Sequence, residues 1–379
     1  MPEPTPPNAT LAATPYRILG ELGRGGMGTV FDAEHIALQK RVVVKLLHPQ
    51  YAKESRIVER LRREARSLAR LASPFVVAVS DMGQTEDGAT YLVMERLVGK
   101  TLRHELQARG ALPVQEAIDW TRQVLAGLGA AHRIGIVHRD IKLDNLFLCD
   151  ATEEEPRRLK LLDFGIAKVL DHPGKRPEAS GYQPTEEGTI LGSPRWLAPE
   201  QARGKTVDAR ADLYAVGVLL YTLLVGRGPF AHVRDPFEMI QAHISEVPLP
   251  PSQSARQYVP PDLDDAILMA LAKLPEDRFQ TAQAFSEALL FIAQRLVEVT
   301  QPLPCGSRSP LPDGRGSITI GVGVGAVAPS RESAAPTLVH TPRAEPGKRR
   351  VATFLVLVAA SALVFFVLLA GAARLLGGG

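Results

Sequence analysis

The chain has 379 residues, 45% of them apolar, and a formal net charge of +3. That length allows two or three domains with a sizeable core, and so small a net charge gives no reason to expect a nucleic-acid partner. The cysteines, Cys149 and Cys305, fit neither a metal-ligand spacing nor a disulfide framework, which suits a reducing compartment.

The opening residues MPEPTPPNAT carry an acid and several prolines but no apolar core of a signal peptide. Residues 1–15 therefore read as a flexible arm, and the bulk of the chain as cytoplasmic. From Tyr16, the β-branched runs YRILGELG, GTVFDAEH and RVVVKLL predict three antiparallel strands. A helix is predicted over 53–71, where Ile57, Leu61, Ala65, Leu68 and Leu71 recur at steps of three and four. FVVAVSDMG and ATYLVMERL read as two further strands. Beyond Gly99 the pattern turns helical, with helices predicted over 113–134, 208–226, 262–273 and 281–297. Strands first and helices after indicate an α+β, bilobal architecture, with an N-lobe over 16–97, a C-lobe over 98–297 and a cleft between them.

Residues 298–350 are scattered with Pro, Gly, Ser and Arg and read as a disordered linker. Its apolar run 318–328 is Gly-rich and too short to span a bilayer. The charge-free stretch VATFLVLVAASALVFFVLLAGAA, 351–373, exceeds the ~20 residues that a transmembrane helix needs. Lys348, Arg349 and Arg350 precede it and only Arg374 follows, so the basic flank places the N-terminal side of a span of the cell membrane in the cytoplasm and leaves 374–379 as a short extracytoplasmic tail.

Within this frame several polar groups stand where chemistry needs them. Gly23-Arg24-Gly25-Gly26-Met27-Gly28-Thr29-Val30 sits between two predicted strands, a G-x-G-x-x-G-x-V whose glycines let backbone N–H groups approach phosphates. A dinucleotide-binding loop would open a helix, whereas TVFDAEH continues as strand. Lys45 lies in an apolar strand, where an unpaired ammonium is costly, and Glu64 in the following helix is its expected ion-pair partner. In Ile136-Val137-His138-Arg139-Asp140-Ile141-Lys142-Leu143-Asp144-Asn145-Leu146-Phe147-Leu148, two apolar runs flank a polar loop. Leu161-Leu162-Asp163-Phe164-Gly165 follows about twenty residues on. Asp140 is suited to accept or orient a hydroxyl proton, Lys142 to neutralise a moving phosphoryl group, and Asn145 and Asp163 to supply oxygen ligands for Mg²⁺ beside nucleotide phosphates.

In this order and spacing the sequence resembles the eukaryotic-type Ser/Thr protein kinase family, especially its membrane-anchored bacterial members. The resemblance continues through Ala198-Pro199-Glu200, the DLYAVG run from Asp212, and Arg278, which it pairs with Glu200. It implies ATP and Mg²⁺ (with Mn²⁺ as a substitute), protein substrates near the membrane, and a homodimer for trans-autophosphorylation. It places Leu22 and Val43 around the adenine, Met94 as gatekeeper, and Glu95 to Leu97 as the hinge contacting the base. Leu68, Val79, His138 and Phe164 form the implied spine of the active state, and Lys142 resembles the Ser/Thr type. Arg139 is the implied receiver of a phosphate on the activation segment, for which Thr185 and Thr189 are candidates, while Ser193 contacts the catalytic loop. Val43 stands where the family usually has alanine, which makes the roof of the adenine pocket bulkier, and Leu143 replaces a common proline. The competing expectation is a membrane-tethered pseudokinase scaffold, which should lack at least one of Lys45, Asp140, Asn145 and Asp163; all four are present.

Overall fold

The computed structural model describes residues 10–11, 13–26, 28–48, 55–164 and 194–300. The arm before residue 10, the linker, the 351–373 span, Met27, Gly165 and the activation-segment residues Thr185, Thr189 and Ser193 lie outside them. Among the described residues no helix is long and apolar enough to cross a membrane.

The first third forms a five-stranded antiparallel sheet. Its strands are β1 (Tyr16–Gly25), β2 (Gly28–His35), β3 (Lys40–Leu47), then β4 (Val79–Gln84) and β5 (Thr90–Glu95) after helix α1 (Ser55–Ala69). Their order in the sheet is β1-β2-β3-β5-β4. Alternate residues of these strands enter one core, in which Tyr16, Ile18, Phe31, Ala33, Val42, Val44, Tyr91 and Val93 pack beneath Leu11. The period of two leaves the intervening residues on the other face of the sheet. FVVAVSDMG is strand only from Val79; the residues before it form a connection in which Val76 bridges to Leu161.

A small sheet follows, of β6 (Gly99–Thr101), β7 (Leu146–Cys149) and β8 (Arg158–Leu161), with α2 (Leu102–Arg109) and α3 (Val114–Arg133) between β6 and β7. The sequence reading misses this sheet and α2. Three- and four-residue strands carry little periodicity, and α2 is short and mostly polar; its one legible signal is the Thr101 cap, whose hydroxyl accepts from His104 N, paired with Gly110 at φ 72° past the end. After a one-turn α4 (Pro199–Ala202), α5 (Ala209–Val225) runs through the centre, with every residue from Ala211 to Leu224 buried. Asp208 caps its first turn, and Gly226, at φ 82°, ends it in the left-handed conformation. Gly217 lets α7 (Pro261–Ala270) approach, since a Cβ there would lie 2.9 Å from Ala270 Cβ. Between them α6 (Pro236–Ser245), also missed, starts at an Asp235 cap followed by proline. α8 (Ala282–Thr300) closes the described chain. The five helices predicted from periodicity all form, with ends shifted by three residues or fewer.

Candidate active site

Strand alternation builds the roof of the cleft. Val42 and Val44 enter the core, so Val43 and Lys45 share the opposite face, in register with Met94 and Leu92 of β5 and with Asp32 and Val30 of β2. At Gly23, Gly25 and Gly26 an added Cβ would meet nothing within 4 Å, and none of the three has a positive φ. Their lack of side chains is explained neither by internal packing nor by backbone conformation, and leaves room for phosphates against the hairpin. Gly28 differs. A Cβ there would lie 2.2 Å from Leu46 O, so this glycine serves the approach of β2 to β3 and not the ligand. Arg24 is a surface residue paired with Glu21 at 3.2 Å, and Leu22 stands 55% exposed above the cleft.

Lys45 is buried, as the sequence predicts, but its ion pair is with Asp163, Nζ to Oδ1 2.7 Å, where the sequence reading gives Glu64 that place. Glu64 is half-buried on α1. The Lys45–Asp163 contact joins the sheet to the C-terminal side of the cleft over 118 residues of chain. At the implied hinge the Glu95 side chain is already engaged. Its carboxylate accepts from Ala78 N at 2.7 Å and Lys160 Nζ at 2.6 Å, so its side chain is committed elsewhere and only backbone can meet a base at the hinge with Leu97.

The catalytic loop is held from below by one carboxylate. Asp212, in the first turn of α5 and fully buried, accepts from His138 N at 2.8 Å, Arg139 N at 2.7 Å and His132 Nε2 at 2.8 Å. Burial alone would raise its pKa, but the bonds from His132 and His138 hold it below the usual carboxylate range. Arg139 has φ 63°, a conformation costly for a side-chain-bearing residue and sustained here by the Asp212 bond and by Gln201 Nε2 donating to its carbonyl at 3.2 Å. Asp163 is left-handed too, at φ 51°. Burial pushes the pKa of the intervening His138 down and favours its neutral ring. Its Nε2 donates to Leu162 O at 2.9 Å, and its ring meets Phe164 at 4.5 Å between centroids, the contact at the centre of the implied spine.

Asp140 therefore projects from a fixed backbone. Its Oδ2 receives Lys142 Nζ at 2.7 Å and Asn145 Nδ2 at 2.9 Å, and Asn145 Nδ2 also reaches Asp140 O at 2.8 Å. Oδ1 has no partner among the described residues and is left to accept a proton. Asn145 spends its amino group on Asp140, and neither its amide oxygen nor the second oxygen of Asp163 has a partner among the described residues, which leaves both to a cation. Two protein oxygens suit Mg²⁺, which keeps the rest of its shell for phosphate and water, and no group of three acidic, histidine or cysteine ligands occurs among the described residues. Asp144, next to Asn145, is bound through both oxygens by Arg103 of α2, with Nη2 to Oδ2 at 2.6 Å; this hydrogen-bonded arginine keeps the Asp144 carboxyl well ionised. The guanidinium of Arg139 forms no ion pair among the described residues.

Sequence reasoning missed what Asp212 does, although the DLYAVG run marks the residue, because bonds to a loop some seventy residues earlier leave no local signal. The pair implied between Glu200 and Arg278 does form, at 2.8 and 2.7 Å, with Arg278 also donating to three carbonyls and stacking 4.9 Å from the Tyr214 ring.

The protein kinase domain family matches residues 16–290. Among characterised relatives, Serine/threonine-protein kinase pkn3 of Myxococcus xanthus is 38% identical over 72% of this chain and 49% of its own length. Serine/threonine-protein kinase PknB of Mycobacterium tuberculosis is 39% identical over 70% of this chain and 41% of its own. The chain thus spans about half or less of the length of these relatives. The kinase domain of Mycobacterium tuberculosis PknI superposes with a TM-score of 0.57 at 26% identity, covering 76% of this chain and 99% of that one. A lysine-bearing sheet, a catalytic loop pinned to a central helix and an aspartate facing the lysine are thus accompanied by similarity along the whole catalytic unit, and the chain belongs to the eukaryotic-type Ser/Thr protein kinase family.

Proposed function

We propose that this chain transfers the γ-phosphoryl group of ATP to Ser or Thr hydroxyls of proteins. The observation that carries the reading is the division of labour on Asp140: Oδ2 is held by Lys142 and Asn145, and Oδ1 has no partner among the described residues. A substrate hydroxyl donating to Oδ1 is oriented for attack on the γ-phosphorus and gives up its proton there as the bond to phosphorus forms and the bond to the β-phosphate oxygen breaks. Lys142, beside it, offsets charge on the phosphoryl oxygens in flight. Lys45 holds the phosphates of the nucleotide from the roof, an exchange of its Asp163 partner for phosphate oxygens. Asn145 and Asp163 would hold Mg²⁺, which neutralises charge between the phosphates when bound. Phosphate incorporation into a generic protein substrate should fall about a hundred- to ten-thousandfold in Asp140→Asn. Equal rates in this variant and the wild type would overturn the assignment.

Two finer features belong to the same proposal. Autophosphorylation of the activation segment, at Thr185 or Thr189, raises activity through the Arg139 guanidinium, which is supported by its lack of an ion pair among the described residues. The 351–373 stretch anchors the chain in the cell membrane with the catalytic residues cytoplasmic, supported by its length, its lack of charge and the basic residues at 348–350. Removing 348–379 should move the protein to the soluble fraction; a truncated protein that still pellets with membranes after a high-pH wash would refute the anchor.

A further inference from the structure

Beside the catalytic loop lies a cavity of about 280 Å³. Leu143, the residue between Lys142 and Asp144, forms part of its wall, with α2 on one side and the Gly226–Ala231 turn after α5 on another. Its charge is one-sided. Arg103, Arg195 and Arg227 line it, and no aspartate or glutamate does. Asp144, next in sequence to the lining residue Leu143, is already taken in both oxygens by Arg103, so it offers nothing to a basic ligand. Arg195 and Arg227, at the rim, are exposed and form no ion pair among the described residues.

The rest of the wall suits a side chain more than a free ion. Trp196 and Phe230 supply flat apolar surface, and Lys273 Nζ stands 4.9 Å from the centroid of the Phe230 ring. His243 forms the floor at 1% exposure. Its Nδ1 lies 2.9 Å from the Tyr214 hydroxyl, and the Arg195 backbone is its other polar neighbour. A planar guanidinium pairs best with carboxylate or phosphate oxygens.

We propose that this cavity is a substrate subsite that selects an acidic residue, a carboxylate or a phosphorylated side chain, close in sequence to the Ser or Thr being phosphorylated. The inference rests on the kinase reading above and names its substrate class. Because the recognising charges sit on the rim, they act through encounter and binding and weaken with salt.

The test uses the full chain and a set of Ser/Thr peptides in which each flanking position is in turn Ala, Lys, Glu or phosphoserine. Glu or phosphoserine at a fixed position should raise kcat/KM about five- to thirtyfold over Ala, mostly through KM, with the gain shrinking as salt rises. Comparing Glu with phosphoserine tells which anion the site is built for. In Arg195→Glu/Arg227→Glu the preference should invert, with Lys favoured at that same position. Fluorescence anisotropy of labelled Glu and Ala peptides gives the same ratio without turnover, so loss of catalysis strikes the kinase reading and not the subsite. A wild-type profile that is flat or favours Lys, or a double variant that keeps the acidic preference, would overturn the proposal.

Discussion

Replacing Asp212 by Asn tests whether one buried carboxylate sets the geometry of the catalytic loop. The two oxygens of Asp212 serve three donors: Oδ1 takes Arg139 N, and Oδ2 takes His138 N and His132 Nε2. Asparagine has one acceptor oxygen. With that oxygen in the Oδ2 position, its amino group confronts Arg139 N; flipped, it confronts both histidine donors. At least one buried donor is orphaned in either case, at about 1 to 3 kcal/mol each, and the surviving bonds lose their charge assistance. We expect a loss of about 2 to 4 kcal/mol in a urea titration. The better amide orientation abandons Arg139 N, the bond that sustains a backbone at φ 63°. Asp140 follows directly, so kcat should fall about a hundredfold. KM for ATP should change little, because Lys45 and the glycine-rich hairpin are carried by the sheet. A variant within about 0.5 kcal/mol of wild type and with unaltered kcat would refute the argument. So would a loss confined to KM for ATP, which would place the role of Asp212 at the nucleotide.

Two further outcomes follow from buried charge. Burial alone would raise the pKa of Glu105, but hydrogen bonds from Lys100, Arg109 and Arg157 reverse this and bring it to about 2 from 4.5. A depressed carboxylate stabilises the fold above the unfolded pKa and loses that contribution as pH falls, so wild-type stability should decline between about pH 4.5 and 2 by about 2 to 3 kcal/mol from this residue, and Glu105→Gln should flatten that stretch of the profile; an unchanged slope would refute it. Glu200→Ala leaves the Arg278 guanidinium charged at 1% exposure, and should cost about 3 to 5 kcal/mol by denaturant titration; a cost under 1 kcal/mol would show that the three carbonyls and the Tyr214 ring suffice for Arg278.

The sequence alone determined the features that live in local spacing. β-branched runs marked the strands of the first sheet, periods near 3.6 located the long helices, and the order of Lys45, Asp140, Asn145 and Asp163 gave the chemistry. These were legible because period and spacing are properties of neighbours along the chain. Short elements were not: α2 and the three-stranded sheet hold too few residues for a period to show, and for α2 and α6 the caps at Thr101 and Asp235 were the only trace. What tertiary structure decided is who pairs with whom. Lys45 had a plausible acid in Glu64 and made its bond to Asp163, 118 residues away. Gly28 looked like its neighbours in the glycine-rich run, yet the Leu46 carbonyl gives it a different reason to lack a side chain. Asp212 gathers three donors from an earlier segment, and Arg103 removes Asp144 from any role toward a basic ligand. Such choices depend on the distances left after the whole chain packs. A buried charge takes the partner that the fold brings within hydrogen-bond reach, and the sequence states only which partners exist.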